Sequence, residues 1–237
     1  MKLFFNAVCK LILGIGIVAL LLFAPAGTFA FPGAWRLLFL LFIPMTFIGI
    51  FFYIYSPQTL SKRLHSKEDR SVQKGVVAFS GILFIISFLL AGFDYRWGWS
   101  EMPSWMVWTA GILFIISYGI YAEVMRENEW LSRSIEVAEN QHVVSSGLYG
   151  IVRHPMYTAT IGMFLSMPLI MGSWWAFLAM IPYVPVIVIR IKDEELFLCE
   201  QLNGYLEYKN TVKWRLFPRM FAFWGRIGAT EYHLSPI

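Results

Sequence analysis

The residues able to do chemistry in this chain are concentrated in two places. The first is Ser146-Gly147-Leu148-Tyr149-Gly150-Ile151-Val152-Arg153-His154-Pro155-Met156-Tyr157, where a polar segment gives way to a long apolar one. Pro155 suits the first position of a helix, where its missing N–H costs nothing, and this makes His154 the N-cap. Arg153 and His154 then stand at the positive end of a helix dipole, beside unpaired backbone N–H groups. Such a place can hold an anionic group. It is equally a common ending for a loop that leads into a membrane helix. Gly147 and Gly150 permit tight turns and keep the approach free of side chains.

The second place is Arg190-Ile191-Lys192-Asp193-Glu194-Glu195. Arg190 and Glu194 are one helical turn apart and can serve one site together. The same spacing also produces ordinary surface ion pairs. Glu195 is expected about 100° further round the helix, toward partners or water. Gly204-Tyr205-Leu206-Glu207-Tyr208-Lys209 and Val212-Lys213-Trp214-Arg215-Leu216-Phe217-Pro218 follow. Tyr205, Tyr208 and Val212 recur at i, i+3 and i+7, the stripe of a packing face.

Taken together, Gly-x-Tyr, Arg-His-Pro with Tyr157 after it, Arg-x-x-x-Glu-Glu and Gly-Tyr-x-x-Tyr resemble the isoprenylcysteine carboxyl methyltransferase family. These are integral membrane enzymes related to the phospholipid methyltransferases. The resemblance covers roughly residues 137–218; the first 100 residues match only in being membrane spans. It implies S-adenosyl-L-methionine as cofactor, contacted at Gln141, His142, Val143 and Val144 largely through backbone atoms. Further contacts would come from Tyr149, His154 and Glu194. Arg190 takes the position of the residue that contacts a carboxylate substrate. Arg190 and Arg153 are therefore the candidate catalytic residues, Arg153 in a structural or electrostatic capacity. Leu148 stands where many relatives have Pro. Methyl transfer from a sulfonium is an in-line displacement with little proton traffic, so held geometry and electrostatics supply most of the rate. Arg153 and His154 can take the methionyl carboxylate, Glu194 the ribose hydroxyls or the ammonium, and Arg190 an acceptor carboxylate through its planar fork. The implied partner is a lipophilic or amphiphilic small molecule or lipidated substrate among membrane lipids.

The elements that position these residues are membrane helices. Of 237 residues, 58% are hydrophobic and 14% charged, against ~25% charged in ordinary soluble domains. Residues 11–31, 35–55, 75–93 and 105–125 are apolar runs of about the 20 residues that cross a bilayer. Residues 156–189 hold Pro168, Pro182 and Pro185, with Gly172-Ser173 near the middle. They read as a hairpin of two short or broken helices turning at Met171–Ser173. The expected fold is thus an all-α polytopic membrane protein with about six crossings and a small cofactor-binding region. Residues 1–125 form four N-terminal spans and residues 126–237 the methyltransferase-like region. Lys62, Arg63, Lys67, Arg70 and Lys74 crowd one loop, whereas the 94–104 loop carries only Arg96. The positive-inside rule then places loop 56–74, segment 126–155, both termini and the site in the cytoplasm. The first run exceeds a signal-peptide core and a second span follows at once, so it is read as a retained span.

Several function classes lose support on these grounds. No ionisable side chain falls at mid-span, which disfavours a pump. The chain lacks a Cys/His cluster, an HExxH and a P-loop, so neither a metal nor ATP is called for. The net charge of +4 is what basic membrane loops produce and needs no nucleic acid. Cys9 and Cys199 form no disulfide framework. Gly81-Ile-Leu-Phe-Ile-Ile-Ser87 recurs as Gly111-Ile-Leu-Phe-Ile-Ile-Ser117, and these small residues suggest close packing of the third span on the fourth. Two other readings stay open: an NADPH-dependent membrane reductase of the sterol-reductase type, which resembles the same C-terminal region, and a non-enzymatic membrane carrier.

Overall fold

The computed structural model describes residues 2–58, 60–61, 71–131 and 137–218. Lys62, Arg63, Lys67 and Arg70 of the basic loop, Arg133 and Ile135 of the connector, and the tail after Pro218 lie outside the described residues. Every regular element among the described residues is helical. Four long apolar helices come first: α1 (Lys2–Ala26), α2 (Pro32–Tyr55), α3 (Ser71–Trp97) and α4 (Ser104–Glu127). After the connector, a 3-10 turn (Gly147–Gly150) precedes α5 (Pro155–Met171), α6 (Trp174–Met180), α7 (Tyr183–Gln201) and a short α8 (Tyr205–Thr211). The first four, and the joined stretch Trp174–Gln201, are long and apolar enough to cross a membrane, whereas α5 is a shorter apolar helix. The chain is a multi-pass integral membrane protein. Its first helix begins earlier than the apolar run alone suggests, because nothing before Pro25 and Gly27 interrupts it.

The break after α5 falls where the sequence placed it, and its cause is local. Gly172 closes α5 in the left-handed region at φ 85°, a conformation that suits glycine. Ser173 then caps α6 by accepting from the Ala176 N–H at 3.1 Å. The Ser173 hydroxyl also donates to the buried carboxylate of Asp94 at the end of α3. Asp94 further accepts from the Ser100 backbone at 2.8 Å. This polar knot ties three chain segments at the end of the bundle away from Arg153. Pro182 and Pro185 remove two N–H groups from the helical ladder, which accounts for the break between α6 and α7 at residues 181–182.

Close helix packing follows glycines, but not those of the repeated heptapeptide. The expected pairing of the third span with the fourth is not what forms: α3 packs mainly on α1 and α6, and α4 on α5. Gly81 has open space around it, and Gly111 meets only a Leu40 methyl group at ordinary contact distance. The serines of the repeat part company as well. Ser87 donates to the Ala176 carbonyl at 3.1 Å, whereas Ser117 faces Gly162 of α5, where a Cβ would stand 2.3 Å from its hydroxyl. The backbones come close instead where Gly33 meets the Met171 carbonyl and Gly92 the Leu22 carbonyl. Identical heptapeptides thus serve different neighbours, because the chain's connectivity and not the local vocabulary sets their surroundings.

Candidate functional site

The connector between α4 and α5 is placed by a few hydrogen bonds. Gly147, at φ 54°, turns the chain so tightly that a Cβ would lie 1.8 Å from Glu127 Oε1. Glu127, the last residue of α4, accepts the Leu148 N–H at 3.0 Å and so holds the start of the 3-10 turn. Tyr149 is fixed at both ends: Asn128 donates to its hydroxyl at 3.0 Å, and the Tyr208 hydroxyl donates to its carbonyl at 2.7 Å. Gln141 accepts the Ala138 N–H at 2.9 Å, and His142 sets its ring edge against Trp130. No strand forms among the described connector residues.

His154 is the N-cap of α5 with Pro155 in the first turn, as the sequence indicated. The donors around it are largely spoken for. Arg153 N–H and His154 N–H reach the carbonyls of Trp214 and Arg215 at 2.8 and 2.9 Å. The Tyr157 N–H turns back to the His154 carbonyl. The segment after α8 therefore lies along the motif as an extra strap, with Thr158 donating to Leu216 at 2.6 Å.

The two adjacent glutamates have separate surroundings. Glu195 is 2% exposed and sits among cations. Its carboxylate accepts from Arg153 Nε at 2.7 Å and from Arg215 Nη2 at 2.8 Å, with His154 Nε2 at 3.3 Å. It meets partners and not water, which settles the direction left open above. Arg153 spends its remaining reach on the Val212 carbonyl at 2.6 Å. Its guanidinium thus links α7 to the strap and is buried. Glu194 faces the other way and accepts from the Tyr157 hydroxyl. That hydroxyl in turn accepts from Arg190 Nε at 2.8 Å. Arg190, Tyr157 and Glu194 form one polar chain, in which Tyr157 is a member the spacing of Arg190 and Glu194 did not disclose.

These groups converge on a cavity of about 770 Å³, within the ~300–1,000 Å³ usual for small-molecule sites. Gln141, His142, Val143, Val144, Tyr149, Arg153, His154, Arg190 and Glu194 all line it. It continues to apolar walls on α2 and α3, including Met45, Ile48, Phe52, Val76 and Phe84. Tyr205 and Tyr208 line it as well and pack with Leu202 and Val212 in a small cluster. Burial, reinforced by neighbouring ionisable groups, holds both phenols well above the ordinary tyrosine range, so each stays protonated. Tyr208 donates to Tyr149, whereas the buried Tyr205 hydroxyl has no hydrogen-bond partner among the described residues. Among the described residues, no group of three or more His, Cys, Asp or Glu is arranged to hold a metal ion.

Residues 105–203 match the family model of the phospholipid methyltransferases. This is the family of integral membrane methyltransferases to which the isoprenylcysteine carboxyl methyltransferases are related. The matched stretch runs from α4 to the end of α7 and carries every residue nominated for the site. The first three spans of the chain, and the strap after α8, lie outside it. A search of the curated proteins found no match.

Proposed function

We propose that this protein is an S-adenosylmethionine-dependent methyltransferase whose acceptor is a lipophilic or amphiphilic carboxylate presented from the membrane. The observation that carries the reading is the cavity's mixed lining. Polar residues of the family-matched stretch line it together with apolar side chains of two membrane helices outside that stretch. A bipartite ligand set suits such a space.

The residues present fit the methyl donor. Glu194 supplies a carboxylate for hydroxyl or ammonium donors, residues 141–144 line the cavity, and Tyr205 keeps a hydroxyl with no partner among the described residues. When bound, S-adenosylmethionine supplies a methyl group on a sulfonium, ready for displacement. The chain's own work is positioning. Tyr157 holds Glu194 and Arg190 together, so the group offered to the methyl donor and the group offered to the acceptor are aligned by one hydroxyl. Arg190 orients the acceptor carboxylate. Arg153 is structural in this reading, because its charge is already matched by Glu195. The apolar walls exclude water from the reacting centre. The site lies at the end of the bundle that the positive-inside rule assigns to the cytoplasm.

Binding to detergent-purified protein tests this directly. S-adenosylhomocysteine should bind and raise the unfolding temperature, while NADPH should not. Glu194→Ala should weaken binding by about 10- to 100-fold, the size of one charge-assisted contact. His154→Ala should weaken binding and also lower the unfolding temperature, because the His154 ring stands 3.3 Å from Glu195. Stabilisation by NADPH in place of S-adenosylhomocysteine would favour the reductase reading.

A further inference from the structure

We infer that Tyr205 is a ligand-binding residue of this cavity, whose hydroxyl donates a hydrogen bond to an acceptor atom of the methyl donor. The inference rests on the proposed function and adds to it a contact from outside the family-matched stretch, which ends at residue 203. Buried hydroxyls in folded proteins nearly always have partners, and one left alone costs stability. Tyr205 is 4% exposed and lines the cavity, yet its hydroxyl has no partner among the described residues. The nearby Tyr208 shows the contrast, since its hydroxyl is used up on the Tyr149 carbonyl at 2.7 Å. Gly204, at φ 82°, sets the start of α8, whose first residue, Tyr205, lines the cavity. Glu194, Glu195 and Arg153 all act on this ring electrostatically. With two carboxylates nearby the phenol remains a donor. S-adenosylmethionine offers it carboxylate oxygens, ribose oxygens and adenine nitrogens, while Glu194 is left for the donor groups of the same molecule.

Tyr205→Phe removes one oxygen and little else. Without ligand, its unfolding temperature should equal or exceed that of the wild type, because the lost hydroxyl had no partner. Tyr208→Phe, by contrast, should unfold earlier, since it strips the Tyr149 carbonyl of its donor. Calorimetric titration with S-adenosylhomocysteine should show Tyr205→Phe binding roughly three- to tenfold more weakly than wild type. Unchanged affinity would overturn the inference, as would a lowered ligand-free unfolding temperature in Tyr205→Phe. If the wild-type protein itself fails to bind S-adenosylhomocysteine, the methyl-donor reading falls and takes this contact with it. That result is distinct from a Tyr205→Phe variant that binds like wild type.

Discussion

At the scale of single residues, two neighbours in sequence have opposite occupations. Glu195 is enclosed by Arg153, His154 and Arg215, and Glu194 faces the cavity through Tyr157. Removing one member of a buried ion cluster leaves the others uncompensated, at about 3–5 kcal/mol. Glu195→Ala should therefore lower the unfolding temperature sharply in a thermal melt, whereas Glu194→Ala should melt close to wild type and lose ligand affinity. Arg190 presents a different case. Its Nε is held by the Tyr157 hydroxyl and its guanidinium lies 5.9 Å from the centre of that ring. Arg190→Lys should keep S-adenosylhomocysteine affinity yet lose roughly 100-fold in single-turnover methylation, because an ammonium cannot reproduce the planar fork. Near-normal turnover would make Arg190 a snorkelling anchor of α7 and remove it from the site.

At the scale of elements, the bundle is closed by glycines that let backbones touch. A Cβ on Gly33 would stand 2.3 Å from the Met171 carbonyl, where a backbone atom cannot swing aside. Gly33→Ala should push α2 off the end of α5 and cost about 1–3 kcal/mol. Gly119→Ala, at an exposed position of α4 with nothing within 4 Å, should be neutral or slightly stabilising, since alanine is the better helix former. Comparing the two melts in the same detergent checks the claim. The strap after α8 is the other decisive element. It pairs with Arg153, His154 and Thr158 and so holds the first turn of α5 in place.

At the scale of the whole molecule, the two ends of the bundle differ in kind. One carries the cavity, the strap and the glutamate pair; the other carries the Asp94 knot and the Gly172 turn. The strap lies at the first end, and the sparsely charged 94–104 loop at the second. Single cysteines at Lys213 and Glu101, introduced after Cys9 and Cys199 are replaced, should label from opposite sides of intact cells. Lys213 is expected to be protected from an impermeant reagent and Glu101 reactive. Labelling of Lys213→Cys from outside would move the site to the other compartment.

The membrane spans, the hairpin at Gly172-Ser173 and the shared face of Arg190 and Glu194 were legible in the chain itself, whereas residues 141–144 and Tyr149 were singled out only through the family resemblance. Each of the former rests on a local rule: a hydrophobic run has one solvent it can enter, Gly-Ser and Pro interrupt a helix, and a fourfold spacing shares a face. What the sequence could not determine was who faces whom. The repeated heptapeptide suggested partners by its small residues, yet α3 and α4 pack elsewhere, because packing is settled by the whole bundle. The donors expected at the start of α5 are taken by carbonyls of residues 214 and 215, some sixty positions away along the chain. Likewise the enclosure of Glu195, the bridge made by Tyr157 and the Tyr205 hydroxyl left without a partner among the described residues exist only once α5, α7, α8 and the strap are brought together. Hydrogen bonds are short and directional, so which polar groups are satisfied is a property of the tertiary structure, and spacing along one helix cannot reveal it.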